Sequence, residues 1–224
     1  MADGRKRVIV EGVAPQIDCG RFAVKRVVGE PLAVEADVFT NGHDAVACRL
    51  LYRRQDDGEW REAPMRPLGN DRWRAHFVPD GLGRWEYTVE GWIDPFGSWV
   101  RDLGKKVDAG QQVGVDLLAG ARWVNAAAER ATGADAAALR GLAADIGGDG
   151  DLDERVAAAR DPALASLMAR YPDRTFATRY PRVLPAVVDP PLARFGAWYE
   201  LFPRSASPDP QRHGTFRDVE ARLP

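Results

Sequence analysis

The sequence predicts an α+β protein in three parts. An antiparallel immunoglobulin-like β-sandwich is expected over residues 1–112, a small helical bundle insertion over 113–180, and a return segment with a strand-loop-helix start over 181–224. Three observations carry this. β-Branched and aromatic residues alternate with polar ones through the first part, separated by turn dipeptides. Ala, Leu, Asp and Arg then take over at helical spacing. The last part is rich in proline and closes on a capping pattern. Such a shift of alphabet marks a change of architecture.

The expected strands run over residues 7–11, 21–28, 32–40, 45–53, 71–78 and 84–93. Turn signals stand at Asn41-Gly42, Asp57-Gly58, Gly69-Asn70 and Asp80-Gly81. In 32–40, Leu32, Val34, Ala36 and Val38 share one face; in 45–53, Val46, Cys48, Leu50 and Tyr52 do. Trp73, Ala75 and Phe77 oppose Arg72, Arg74 and His76. Trp85, Tyr87, Val89 and Ile93 oppose Glu86, Thr88, Glu90 and Trp92, which puts both glutamates on the solvated face. Short strands with one polar face read as two sheets packed on one core.

In the second part Leu117, Leu118, Ala121, Val124 and Ala128 fall on one helical face. Asp135 is positioned to cap a helix carrying Leu139, Leu142 and Ile146, which Gly147 and Gly148 stop. Asp151 opens another helix, and Asp161-Pro162 opens a third with Leu164, Leu167, Met168 and Tyr171 on its face. Residues 197–202 then predict a buried strand, and Thr215 with Asp218 predicts a helix start bearing Phe216, Val219 and Leu223. A single strand-helix unit cannot cover both faces of its strand. The sequence is therefore expected to be cut from a longer chain, inside the first unit of a βα-repeat domain.

Composition narrows the function. The chain has 224 residues, 45% apolar and 29% charged, the profile of a globular protein. Lys+Arg 31 against Asp+Glu 33 gives a net charge of −2, which argues against a nucleic-acid partner. No apolar run approaches the ~20 residues that span a bilayer, so no membrane partner is expected. The N-terminus lacks the apolar stretch of a signal peptide, and the expected compartment is the cytoplasm. Two cysteines, Cys19 and Cys48, exclude a disulfide-rich scaffold and read as two buried small apolar residues.

No convergent catalytic set is visible. His43 and His76 read as solvated, while His213, in the terminal loop, is a candidate substrate or interface residue. No G-x-S-x-G, P-loop or G-x-G-x-x-G pattern occurs, and no cofactor or metal site is expected. Asp149, Asp151 and Asp153 imitate a calcium loop, but Glu154 and Arg160 stand where glycine and glutamate are required. Trp92, Phe96 and Trp99 crowd into one short stretch. Indole faces stack on sugar rings, but the same residues suit an interdomain contact, so the three are candidates for either.

Four stretches resemble one known family: RVIVEGVAPQIDCGRFAVK at 7–25, GHDAV at 42–46, WIDPFGSWVRDLGKKVDAGQQ at 92–112, and FGAWYELFPRS at 195–205 with HGTF at 213–216. They are similar to the N-terminal part of the maltose-1-phosphate-dependent α-1,4-glucan maltosyltransferases of the α-amylase superfamily. The resemblance implies a β-sandwich and helical insertion that build a homodimer, with the insertion near the acceptor side of a catalytic (β/α)8 barrel. It implies maltosyl transfer from maltose 1-phosphate to α-1,4-glucan ends, with retention and phosphate release. Trp198, Tyr199, Glu200, Phe202, Pro203, Arg204 and Ser205 match the first barrel strand and its loop. The family's nucleophile and acid/base lie on later strands, so no catalytic residue carries over. The resemblance implies non-catalytic scaffolding; the alternative is an independent α-glucan-binding module using exposed Trp residues. Pro95 departs from the family pattern, and proline there is expected to bend the chain or mark an edge.

Overall fold

The computed structural model describes residues 4–196 and 200–223. The chain divides into two compact units between Asp189 and Pro190.

The first unit opens with eight strands: β1 (Val8–Ala14), β2 (Val24–Val27), β3 (Leu32–Thr40), β4 (Val46–Arg54), β5 (Arg61–Pro64), β6 (Arg66–Gly69), β7 (Arg72–Phe77) and β8 (Gly83–Ile93). Five helices follow: α1 (Pro95–Asp108), α2 (Gly114–Arg130), α3 (Gly133–Gly147), α4 (Leu152–Ala159) and α5 (Pro162–Arg170). Two strands close the unit, β9 (Thr178–Arg179) and β10 (Leu184–Asp189). One sheet has the order β1-β3-β7-β6; the other runs β2-β10-β8-β4-β5, with β9 also on β8.

The two sheets enclose one core. Val34 and Phe77 from the first sheet meet Leu50, Trp85, Tyr87 and Leu184 from the second. Tyr52 stacks on Phe77 at 4.5 Å between ring centroids. The alternation seen in the sequence is the cause: on β3, Leu32, Val34, Ala36 and Val38 are buried while Ala33 is exposed. The helices have their own core, in which Leu103, Leu117, Val124, Leu139, Ile146 and Leu164 meet. Asp151 caps α4 and Asp161 caps α5 through their carboxylates, as expected.

Several expectations change. The second sheet is mixed, because β10 lies parallel to β2 while antiparallel to β8. β5, β6, β9 and β10 lie outside the strands the sequence predicts. Pro95 neither bends a strand nor marks an edge: it is the first residue of α1, capped by Asp94. α1 therefore sits inside the stretch assigned to the sandwich. Asp135 does not cap α3, whose N-cap is Thr132; its carboxylate takes the Tyr171 hydroxyl at 2.7 Å and Arg170 at 2.7 Å. Leu118 is exposed rather than packed. Cys48 is buried and Cys19 is exposed, both as free thiols.

The second unit, residues 190–223, holds two short 3-10 turns, Pro191–Arg194 and Pro203–Ser205, and α6 (Phe216–Glu220). Trp198 and Tyr199 of the expected barrel strand lie outside the described residues. Glu200, Leu201 and Phe202, its described remainder, form no strand and are exposed.

Candidate functional site

In the first unit the sequence candidates gather where β8 runs into α1. Asp94 ends the strand and starts the helix, accepting from the Gly97 amide at 2.9 Å. Its own amide donates to the Ala45 carbonyl at 2.8 Å, and the Ala45 amide donates to Ser98 Oγ at 2.7 Å. The start of β4 is thus pinned to the first turn of α1. Trp92 is buried at 7% exposure, with the Arg174 guanidinium 4.9 Å from its ring centroid. Phe96 is buried against Trp99, their rings 5.6 Å apart. Trp99 Nε1 donates to the Asp116 carbonyl at 2.8 Å. Its ring lies so close to α2 that a Cβ at position 120 would sit 1.9 Å from it, so Gly120 is required there. The structure brings Phe96 and Trp99 together in the helical core, while Trp92 packs separately under Arg174.

The outer face of the six-stranded sheet carries a chain of charges. Arg49 donates to Glu90 from Nε at 2.8 Å, Arg179 reaches the same carboxylate at 3.3 Å, and Arg49 also pairs with Glu62. Arg174 continues the chain onto Glu62 at 3.2 and 3.3 Å. Burial alone would raise the Glu62 carboxyl, but hydrogen bonds and charge from Arg174 and Arg49 outweigh it and hold it below the usual carboxylate range. Glu90, expected on a solvated face, is only 8% exposed. Glu86 is half-buried and pairs with Arg53 at 3.0 Å. The reason is that residues from 172 onward return across this face: Tyr180 donates its amide to the Val89 carbonyl at 2.8 Å, and Thr88 Oγ1 donates to the Arg182 carbonyl at 3.0 Å. These partners are distant in sequence, so the period-2 pattern could not announce them.

Beside this network a cavity of about 840 Å³ opens, bounded by β4, β5 and Trp92 on one side and by α1, α2 and α5 on the other. Cys48 lies at its wall, where burial pushes the thiol up to about 12.

In the second unit, Arg204 faces His213, with guanidinium nitrogens 3.1 and 3.3 Å from the two ring nitrogens. The Gly214 amide donates to the Arg204 carbonyl at 2.9 Å. A Cβ at Gly214 would sit 2.2 Å from the Pro203 carbonyl oxygen, so this turn admits only glycine. Thr215 and Asp218 form the expected capping box. Pro203 and Ser205 complete the turn that carries Arg204. His43 and His76 are exposed and stand apart from one another's chemistry.

Among the described residues no three His, Cys, Asp or Glu side chains come together to hold a metal ion, and no helix is long and apolar enough to cross a membrane. The arrangement supplies packing surfaces and paired charges. Among the described residues it assembles no nucleophile beside a base and an orienting group.

Residues 6–190 match the family described as "Alpha-1,4-glucan:maltose-1-phosphate maltosyltransferase, domain N/S". Curated proteins named α-1,4-glucan:maltose-1-phosphate maltosyltransferase are similar along the whole chain. The one from Chlorobaculum tepidum is 47% identical over 99% of this chain and 33% of its own length. That from Myxococcus xanthus is 46% identical over 97% and 34%, and that from Mycolicibacterium smegmatis 36% identical over 97% and 36%. The chain thus spans about a third of the length of the curated relatives it matches.

Proposed function

The chain belongs to the α-1,4-glucan:maltose-1-phosphate maltosyltransferase domain N/S family, and from that membership we propose that it is the non-catalytic N-terminal scaffold of such an enzyme. In this reading the two-sheet body is the immunoglobulin-like sandwich, and residues 190–223 begin the (β/α)8 barrel. The parent, in the cytoplasm, transfers maltosyl units from maltose 1-phosphate to α-1,4-glucan ends with retention and release of phosphate. This region holds two copies together and shapes the acceptor approach.

The observation that carries the scaffold reading is the site itself. Arg49 is held by Glu62 and Glu90 at the sheet-bundle junction, and the residues the family match covers bury two cores of their own. For the dimer, α2 presents Val115, 80% exposed, and Leu118, one turn on and 49% exposed, an apolar pair of the kind that subunit contacts use. The reading of an independent glucan-binding module gains nothing from Trp92 and Trp99, since one carries Arg174 on its face and the other packs on Gly120.

The purified chain, incubated with maltose 1-phosphate and glycogen, is expected to release no phosphate, and to sediment as a dimer that Leu118→Glu converts to a monomer. Phosphate release above background refutes the non-catalytic assignment. A wild-type chain that stays monomeric at high concentration refutes the dimer.

A further inference from the structure

The cavity between sheet and bundle is built for a ligand of its own. Its volume of about 840 Å³ falls within the ~300–1,000 Å³ of small-molecule sites. Small side chains keep it open: Ala126 on α2 and Ala165 and Ala169 on α5 stand where larger residues would fill the space, opposite Ala47 and Trp92 on the sheet. Met65 and Met168 add flexible apolar surface, which adapts to a ligand's shape.

Among the lining residues of this apolar interior, guanidiniums outnumber carboxylates. Five guanidiniums line it, those of Arg49, Arg101, Arg130, Arg170 and Arg174, against the carboxylates of Glu62, Asp94 and Asp173. All three carboxylates are engaged, Glu62 by Arg49 and Arg174, Asp94 by the Gly97 amide and Asp173 by Thr175. Arg101 and Arg170 are matched by Asp102 and Asp135, but Arg49, Arg174 and Arg179 share the two carboxylates of Glu62 and Glu90, and Arg130 donates to the neutral Tyr171 carbonyl. Arg174 Nε is buried without a hydrogen-bond partner. A guanidinium offers its donors as a planar fork that suits carboxylate and phosphate oxygens. A neutral sugar would make no use of this excess, and the indole on the floor, Trp92, already has its face taken by Arg174.

The geometry points to a binding site for an amphipathic anion, its apolar body between the alanine faces of α2 and α5 and the sheet, and its carboxylate or phosphate head at the arginine rim. This site is separate from the scaffold role and stands or falls without it.

Anilinonaphthalene sulfonate, an amphipathic anion that brightens in apolar surroundings, is the first probe on the intact chain. It should give a single saturable phase. Dodecyl phosphate below its micelle concentration should displace it at a concentration at least ~10-fold lower than dodecyl maltoside, because charge-assisted hydrogen bonds reward the anionic head. Inorganic phosphate alone should not displace it. Ala169→Phe, on an exposed helix position, should fill the cavity and weaken dodecyl phosphate at least ~10-fold with circular dichroism and melting unchanged. Arg101→Gln, at the exposed rim, should weaken dodecyl phosphate about 3-fold and leave dodecyl maltoside where it was. A non-saturating probe signal, equal displacement by the two amphiphiles, or full affinity in a folded Ala169→Phe protein each overturns the assignment.

Discussion

Residues 4–189 and 190–223 handle their apolar side chains in opposite ways. The first stretch takes Trp85, Tyr87, Leu50 and Leu139 wholly out of water. The second leaves Leu192, Phe195, Phe202 and Phe216 between 73% and 82% exposed, and among its described residues the one buried hydrophobic is Ala206. What orders the second stretch is local and polar: the capping box at Thr215, Arg212 against Asp218 at 2.7 Å, Arg204 against His213, and the tight turn at Gly214. Hydrogen bonds of this kind contribute only ~0.5–1.5 kcal/mol each, whereas a fully buried large side chain contributes roughly 1.5–3 kcal/mol. The comparison teaches that one stretch is a folded body by its own packing, while the other is a set of turns whose aromatic residues suit a surface still to be covered.

The largest expected effect tests the packed side of that contrast. Trp85→Ala should cost about 3–5 kcal/mol, because it empties a site in the middle of the shared sheet core. Urea denaturation followed by circular dichroism reads it as a lowered midpoint. A cost below about 1 kcal/mol would mean that the two sheets are not a single packed core.

The next effect has a sign that packing sets. In a helix interior, alanine is ordinarily favoured over glycine by roughly 0.5–1 kcal/mol. Gly104 in α1 has open space where a Cβ would go, so Gly104→Ala should stabilise by about that amount. Gly120 in α2 has the Trp99 ring there, at 1.9 Å. Gly120→Ala should instead destabilise by ~1–3 kcal/mol, the cost of overpacking. Thermal melts of both variants check the pair; two changes of the same sign would remove Trp99 from its place against α2.

How much of this could be read in the chain depended on where the partners lie. β3 was read to its last residue, because Leu32, Val34, Ala36 and Val38 alternate without interruption. The caps at Asp151, Asp161 and Thr215 were equally legible, since a cap and its acceptors lie within a few residues. β10 was missed although Leu184, Ala186 and Val188 alternate, because its neighbours, β2 and β8, lie far upstream and Pro185 interrupts the pattern. Asp94-Pro95 carries the same start signal as Asp161-Pro162, but the strand immediately before it disguised the helix. Glu90 was placed on a wet face because Arg179, which closes over it, comes 89 positions later. The charge network and the cavity beside it are products of that return, and no local spacing encodes them. Of the expected strand at 197–202, the described residues 200–202 are exposed and form no strand.

A smaller effect separates the charge network from the cores it joins. The Glu62 carboxyl is held below its ordinary value of 4.5 in the folded chain. A folded-state value lower than the unfolded one contributes stability that is complete above about 4.5 and is lost as pH falls through the lowered value. Glu62 is half exposed, so solvent screens the pair and the contribution is about 1 kcal/mol or less. Glu62→Gln should therefore reduce stability at neutral pH and flatten the fall of the denaturation midpoint below pH ~4.5. A variant whose midpoint falls with acid as steeply as wild type would move that acid sensitivity to other carboxylates.

The smallest change belongs to the polar stretch and is read locally rather than as a melting temperature. Asp218 accepts from the Thr215 hydroxyl and amide and from Arg212, in that order of weight, and these hold its carboxyl down to about 2 from 3.8. The capping box should thus be complete above pH ~3.8 and dissolve as pH falls through about 2. Nuclear magnetic resonance of the Thr215 amide, titrated from pH 5 downward, should follow that curve (order-of-magnitude range ~2–4 in pH), and Asp218→Asn should abolish it. Local contacts alone are enough to set such a value, because every partner of Asp218 lies within six positions of it. If the Thr215 amide instead titrates near the ordinary 3.8, the box is not formed in solution, and residues 190–223 need more than their own hydrogen bonds to hold these turns.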